Sequence, residues 1–220
     1  MSKKDVFNSF LVQNATYSGF YEIPSLKKST HIPQKFIPFS NCLRSKDFDS
    51  HIMFYEDDFR FDRIWNSPDR YVEVLKKFKG VISPDFSLYR NMPLSMQIWN
   101  TYRGKALAHY WQENGIDVIA NVRFSDERSY SFCFDGIPKH GVVSVGTHGC
   151  IQKRVDQEFF KDGVQELINV LAPHTIIIYG ALPEEISKVC DDNGVKVLHF
   201  ESEIAQYFFS KAKAEKDSSI

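Results

Sequence analysis

Three carboxylates in a row, Glu56, Asp57 and Asp58, follow one short apolar run, and Asp85 follows another directly after Pro84. Adjacent carboxylates repel unless water, a cation or a metal offsets them, so Asp57, Asp58 and Asp85 are the side chains that would hold a divalent ion such as Mg²⁺ or Mn²⁺. Asp58 and Asp85 are also placed for general acid–base work. The competing readings are a solvated turn for the triplet and a helix or turn cap for Asp85. A third run delivers Arg123 and Asp126: a guanidinium suits bidentate contact with phosphate, and a structural ion pair is the alternative. A fourth ends in Gly146, Thr147, His148, Gly149 and Cys150, shortly before a helical pattern. Such a loop can turn backbone N–H groups toward an anion, which makes Gly146, Thr147 and Gly149 candidate phosphate contacts and His148 a third acid–base candidate. It has neither the Lys-Ser/Thr ending of a P-loop nor the three glycines of a dinucleotide turn. Asn100 and Arg103 lie three apart on one helix face and join the candidate ligand contacts, with hydrogen bonding from helix to sheet as the other account.

What must position these residues is a set of short strands. Apolar runs at 51–55, 80–83, 118–121, 142–145 and 175–179, with a sixth at 195–200, alternate with helical periodicity at 65–78, 94–112, 155–171, 183–192 and 203–214. Helices between strands are what parallel pairing requires, and ligands then gather at the strands' carboxyl ends. The expected fold is therefore α/β, a mainly parallel sheet of about six strands with helical crossovers. It is either a partial (βα) barrel-like sheet or an open doubly wound one, and the missing glycine-rich dinucleotide turn leans toward the barrel. Residues 1–50, punctuated by Pro24, Pro33 and Pro38, read as an irregular segment packed on the domain, with a short strand at 35–39. Residues 51–210 form the α/β domain and 211–220 a charged, frayed tail.

Composition narrows the function classes. The 220 residues carry 27 basic and 28 acidic side chains, a net charge of −1, without the basic excess that phosphate-backbone binding calls for, so a broad nucleic-acid surface is disfavoured. Cys42, Cys133, Cys150 and Cys190 form no C-x-x-C pair and read as reduced thiols of a cytoplasmic protein. The N-terminus has no apolar signal region and no run is long enough to cross a membrane, so no membrane partner is expected. Self-association is not readable from the sequence. Aromatics make up 15% of the chain, and most belong in a core.

Five segments also resemble one family. They are residues 54–58 (Phe-Tyr-Glu-Asp-Asp), 84–89 (Pro-Asp-Phe-Ser-Leu-Tyr), 98–103 (Ile-Trp-Asn-Thr-Tyr-Arg), 131–138 (Ser-Phe-Cys-Phe-Asp-Gly-Ile-Pro) and 21–24 (Tyr-Glu-Ile-Pro). Together, and in their order along the chain, they resemble domain of unknown function 4417, a bacterial, prophage and mobile-element family, over roughly 21–180. The resemblance implies a phage or mobile-element setting and carries no activity with it.

The expectation from the residues themselves is a pocket at the strand ends for a phosphate-bearing small molecule or nucleotide, with metal-assisted hydrolysis as the enzymatic version. The alternatives are a non-catalytic binder that sequesters a ligand or host protein, and a nuclease or replication accessory protein.

Overall fold

The computed structural model describes residues 5–202 together with Ala205 and Lys211; apart from those two residues, the helix expected at 203–214 and the tail lie outside the described residues. Its elements, in chain order, are β1 (Tyr17–Ser18), β2 (Ile23–Pro24), β3 (Phe36–Pro38), β4 (His51–Met53), α1 (Asp58–Phe61), α2 (Arg63–Asn66), α3 (Asp69–Leu75), β5 (Gly80–Ile82), α4 (Leu94–Glu113), β6 (Val118–Asn121), β7 (Val142–Gly146), α5 (Arg154–Leu171), β8 (Thr175–Tyr179), α6 (Glu184–Asp192) and β9 (Lys196–Phe200). Strands β3 to β9 form a seven-stranded sheet in strictly sequential order, every neighbouring pair parallel. The seventh strand is the short one expected at 35–39, which pairs with β4 at the sheet's edge.

Sequential order decides between the two expected architectures. An open doubly wound sheet reverses its strand order once, whereas an order that never reverses keeps all right-handed crossovers on one face. The opposite face then closes on itself. Met53, Tyr55, Ile82, Ile119, Ile177 and Tyr179 line this concave side, and the rings of Phe36 on the first strand and Phe200 on the last meet at 4.7 Å. The sheet is a half-barrel. Side chains of alternate parity, such as Ile52, Val81, Ile176 and Ile178, point the other way into the larger core beneath the helices, where Leu107 and Trp111 of α4 and Val164 and Leu167 of α5 are fully buried. Strands covered on both faces read as unbroken apolar runs, which is why the sequence displays them clearly.

One expected helix is divided. The pattern at 65–78 folds as α2 and α3, because Ser67 precedes Pro68 and is held at φ −150°, ψ 63°, outside the helical region. The expected helix at 94–112 is α4, and it is buried nearly all round, with Gln97, Asn100, Gly104, Lys105 and His109 among its covered residues. No helix among the described residues is long and apolar enough to cross a membrane.

At the amino end of the half-barrel His51 is 3% exposed, and neither ring nitrogen has a hydrogen-bond partner. Burial holds its pKa down at about 4 against an ordinary 6.5, with Asp117 pulling upward and His31 and Lys79 downward. The folded chain therefore keeps a neutral imidazole that the unfolded chain protonates. The contribution to stability is complete above pH 6.5 and is lost as pH falls toward 4. It amounts to at most about 3 kcal/mol. In His51→Phe the acid limb of the stability curve, read by urea unfolding from pH 7 to 4, should flatten. Parallel curves for the two proteins would show that His51 does not titrate in this way.

Candidate functional site

β5 ends at Ile82, and Pro84, which has no N–H to give the ladder, turns the chain so that Asp85 lies over the carboxyl end of the barrel. Asp85 is 6% exposed. Asn121, at the end of β6, donates from Nδ2 to Asp85 Oδ1 at 2.7 Å, and Arg123 Nη1 approaches Asp85 Oδ2 at 3.4 Å. Asn121 is fixed in turn by its backbone N–H to Ser83 Oγ (2.8 Å) and by Tyr55, whose hydroxyl bonds to Asn121 Oδ1 (3.1 Å) and to Ser144 Oγ on β7 (2.6 Å). From behind the sheet Lys105 of α4 donates to the Asn121 carbonyl at 2.9 Å. Four strands and one helix thus contribute to a single buried polar set.

Burial raises the Asp85 pKa, and Arg123 and Asn121 draw it only partly back. Burial opposes the Arg123 charge, but Asp85 together with Cys150, Tyr89 and Asp58 more than restores it, so the guanidinium stays charged. Burial lowers the Lys105 ammonium to about 8, with Cys133 and Asp85 resisting. Two buried basic groups, Arg123 at the pocket and Lys105 behind the sheet, thus lie around one buried carboxyl group.

A pocket of about 590 Å³ opens above this floor, lined by Tyr55, Glu56, Asp57, Asp58, Phe59, Asp85, Ser87, Tyr89, Arg123, His148, Gly149 and Gln152. Of the residues singled out in the sequence, Asp57, Asp58, Asp85, Arg123, His148 and Gly149 are therefore together at one strand-end mouth. Asp57 and His148 are exposed on its rim.

Others stand elsewhere. Asp126 caps the 3₁₀ turn Glu127–Ser131 and pairs with Arg128 at 2.8 Å, facing a separate cavity. Asn100 and Arg103 brace the site from the outside instead of touching it: Asn100 donates to the Ser87 carbonyl (2.7 Å), and Arg103 donates to Asn100 Oδ1 (3.0 Å) and pairs with Asp62 (2.6 Å). The Arg103 guanidinium also lies 3.6 Å from the centre of the Phe86 ring. Gly146 is not a backbone cradle; a β-carbon there would sit 2.3 Å from the Tyr55 ring, so the glycine exists to let that ring lie flat on β7. Thr147 is buried, with its N–H and Oγ1 both directed at the Tyr179 carbonyl (2.9 and 3.3 Å). Gly149, at φ +72°, is the one glycine of this loop that faces the pocket.

Among the described residues no group of three or more His, Cys, Asp or Glu side chains is arranged to hold a metal ion, so Asp57, Asp58 and Asp85 do not make a metal triad. The reason is local. Asp58 spends both oxygens on Ser87, accepting from Oγ (2.8 Å) and from N–H (3.2 Å), and Asp85 is engaged by Asn121 and Arg123.

The sequence reading missed Tyr55, Asn121, Ser144 and Lys105. A signal was present for one of them: Tyr55 continues the alternation of His51 and Met53.

The model of the domain of unknown function DUF4417 matches residues 15–201. The chain belongs to the DUF4417 family. Among its relatives are two phage proteins, each named Gene 1 protein. That of Mycobacterium phage L5 is 36% identical over 86% of this chain and 81% of its own length; that of Mycobacterium phage D29 is 34% identical over 86% and 69%. No solved structure gives a significant match. The segments by which the chain resembles DUF4417 have concrete work here. Residues 54–58, 84–89 and 98–103 supply Tyr55, Asp58, Asp85, Ser87, Asn100 and Arg103, the pocket and its brace. Residues 21–24 and 131–138 dock on each other: the Tyr21 and Phe132 rings meet edge-on, and Leu26 N–H bonds to the Gly136 carbonyl at 2.8 Å, where a β-carbon on Gly136 would collide with the Pro24 carbonyl.

Gly146→Ala should displace the Tyr55 ring and cost about 1–3 kcal/mol, as overpacking does. Gly149→Ala, which meets nothing within 4 Å, should cost only the roughly 1 kcal/mol of a strained φ. Urea denaturation of both variants checks the order, and a costlier Gly149 variant would refute the packing role given to Gly146.

Proposed function

We propose that this DUF4417 protein binds a small phosphate-bearing ligand at the strand-end pocket, with Asp85 as the group able to exchange a proton with it. The observation that carries the reading is the buried Arg123 guanidinium at the pocket floor beside Asp85, with a second buried basic group, Lys105, directly behind the sheet. A buried excess of positive charge is costly alone and is relieved by an anion, and an arginine suits phosphate oxygens in particular. The rim has the opposite character. Asp57, exposed on the rim, can accept hydrogen bonds from hydroxyl groups of a sugar, and the volume falls within the range of small-ligand sites. A carboxyl whose pKa is raised by burial holds a proton more readily than a surface aspartate and is suited to acid–base exchange.

Binding without turnover is the second reading, and one observation favours it over metal-assisted hydrolysis: the Asp58 oxygens are committed to holding Ser87. A sequestering protein needs the same pocket and no reacting water. A nucleic-acid role is opposed by the acidic rim and the net charge of −1.

The test is calorimetric binding of a panel of nucleotides and sugar phosphates, with product analysis in the presence of Mg²⁺ or Mn²⁺. Wild type should bind at least one member. Arg123→Gln should lose about tenfold or more in affinity, because it removes the phosphate contact, whereas Asp85→Asn, which removes a negative charge beside that contact, should still bind and lose any turnover. Unchanged affinity in a folded Arg123→Gln protein would contradict the assignment, and binding by wild type without product would decide for the sequestering form.

A further inference from the structure

A second chamber adjoins the first. It measures about 460 Å³ and shares Tyr89, Arg123 and Gly149 with the acidic pocket, so the two form one cleft with the guanidinium at the junction. Its walls differ in chemistry from those of its neighbour. Leu88, Phe124, Phe159 and Phe160 line it, and Phe124 and Phe160 pack with ring centres 5.5 Å apart. These walls are held in place. Gly163 of α5 has no β-carbon because one there would lie 2.2 Å from the Phe124 ring, and Arg90 lies over the Phe159 ring at 4.4 Å while pairing with Asp156. Phe159 and Tyr89 keep part of their surface open to the chamber.

We infer that this chamber seats a planar aromatic ring, and that the ligand is a nucleoside phosphate whose base lies against Phe159 while its phosphate meets Arg123 at the junction. The inference rests on the phosphate-binding reading above and extends it. A chamber of fixed aromatic walls recognises a π-face, and a base stacked on such a wall is worth enough for its loss to be measured. Asn91 on the chamber wall offers an amide to the ring's polar edge. A sugar phosphate lacking the base would fill the acidic pocket and leave this chamber empty.

The experiment compares AMP, GMP, CMP and UMP with ribose 5-phosphate, by calorimetry on wild type and on Phe159→Ala, with Tyr89→Ala as a second variant; both side chains lie outside the fully buried core. At least one nucleotide should bind wild type about tenfold or more tightly than ribose 5-phosphate. Phe159→Ala should weaken that nucleotide by about fivefold or more and shift ribose 5-phosphate by less than about twofold. If either variant unfolds, the other carries the comparison, and the wild-type preference stands as an independent readout. Equal binding of ribose 5-phosphate and every nucleotide, or equal losses for both in the variants, overturns the ring site and leaves the phosphate reading intact. Failure of all five probes to bind overturns both.

Discussion

A carboxylate does not remain ionised in a protein interior without partners, and the mouth of this half-barrel is built around that constraint. Asp85 is held by Asn121 and faced by Arg123; Asn121 is held by Tyr55, Ser83 and Lys105; Tyr55 can lie where it does because Gly146 carries no side chain. These residues come from the ends of four strands and from the helix behind, so the set exists only when the sheet has curled and the strands are in register. The polar set and the half-barrel therefore specify one another. Breaking any one bond exposes the others to an unpaired buried group, which is the costly case.

The excess of buried positive charge gives this arrangement a direction. A purely structural network would balance its charges, because residual charge in a low-dielectric floor raises the energy of the fold. Here Lys105 and Arg123 outnumber Asp85, and the imbalance lies beneath a pocket open to solvent. Around it the acidic rim, the aromatic chamber and the brace of Asn100, Arg103 and Asp62 divide the labour: two lobes of different chemistry, and a support that fixes the loop carrying Asp85 and Ser87. Phage relatives share the family, and the segments that carry the family resemblance coincide largely with these supports.

Much of this was legible in the chain before folding. Strands buried on both faces leave continuous apolar runs, so six parallel strands stood out beside the short one at 35–39, and the turns after four of them marked where Asp58, Asp85, Arg123 and His148 would gather. The edge strand Phe36–Pro38 is only three residues long and was recognisable only as a short extended piece. What could not be read were relations between elements. Asn100 and Arg103 share a helix face, but whether that face meets ligand or loop depends on where α4 lies. Gly146 looked like an anion cradle because a glycine does not reveal whether it makes room for a ligand or for a neighbouring ring. Asp126 was grouped with Asp85 by its place after a strand, yet Arg128 two residues on captures it locally. Lys105 and Asn121 carry no motif at all, since their importance lies in being buried beside a charge.

The account depends most directly on Asp85 being a buried carboxyl with an elevated pKa in contact with Arg123. Carbon-13 NMR of the aspartate side-chain carboxyls, titrated across pH and assigned through Asp85→Asn, measures this without any ligand. Asp85 should titrate above the ordinary aspartate value of 3.8, and Arg123→Leu should move it higher still. An Asp85 that titrates at or below that value, and does not respond to loss of Arg123, would mean a solvated carboxylate with no buried pair, and the proposed site would fall with it.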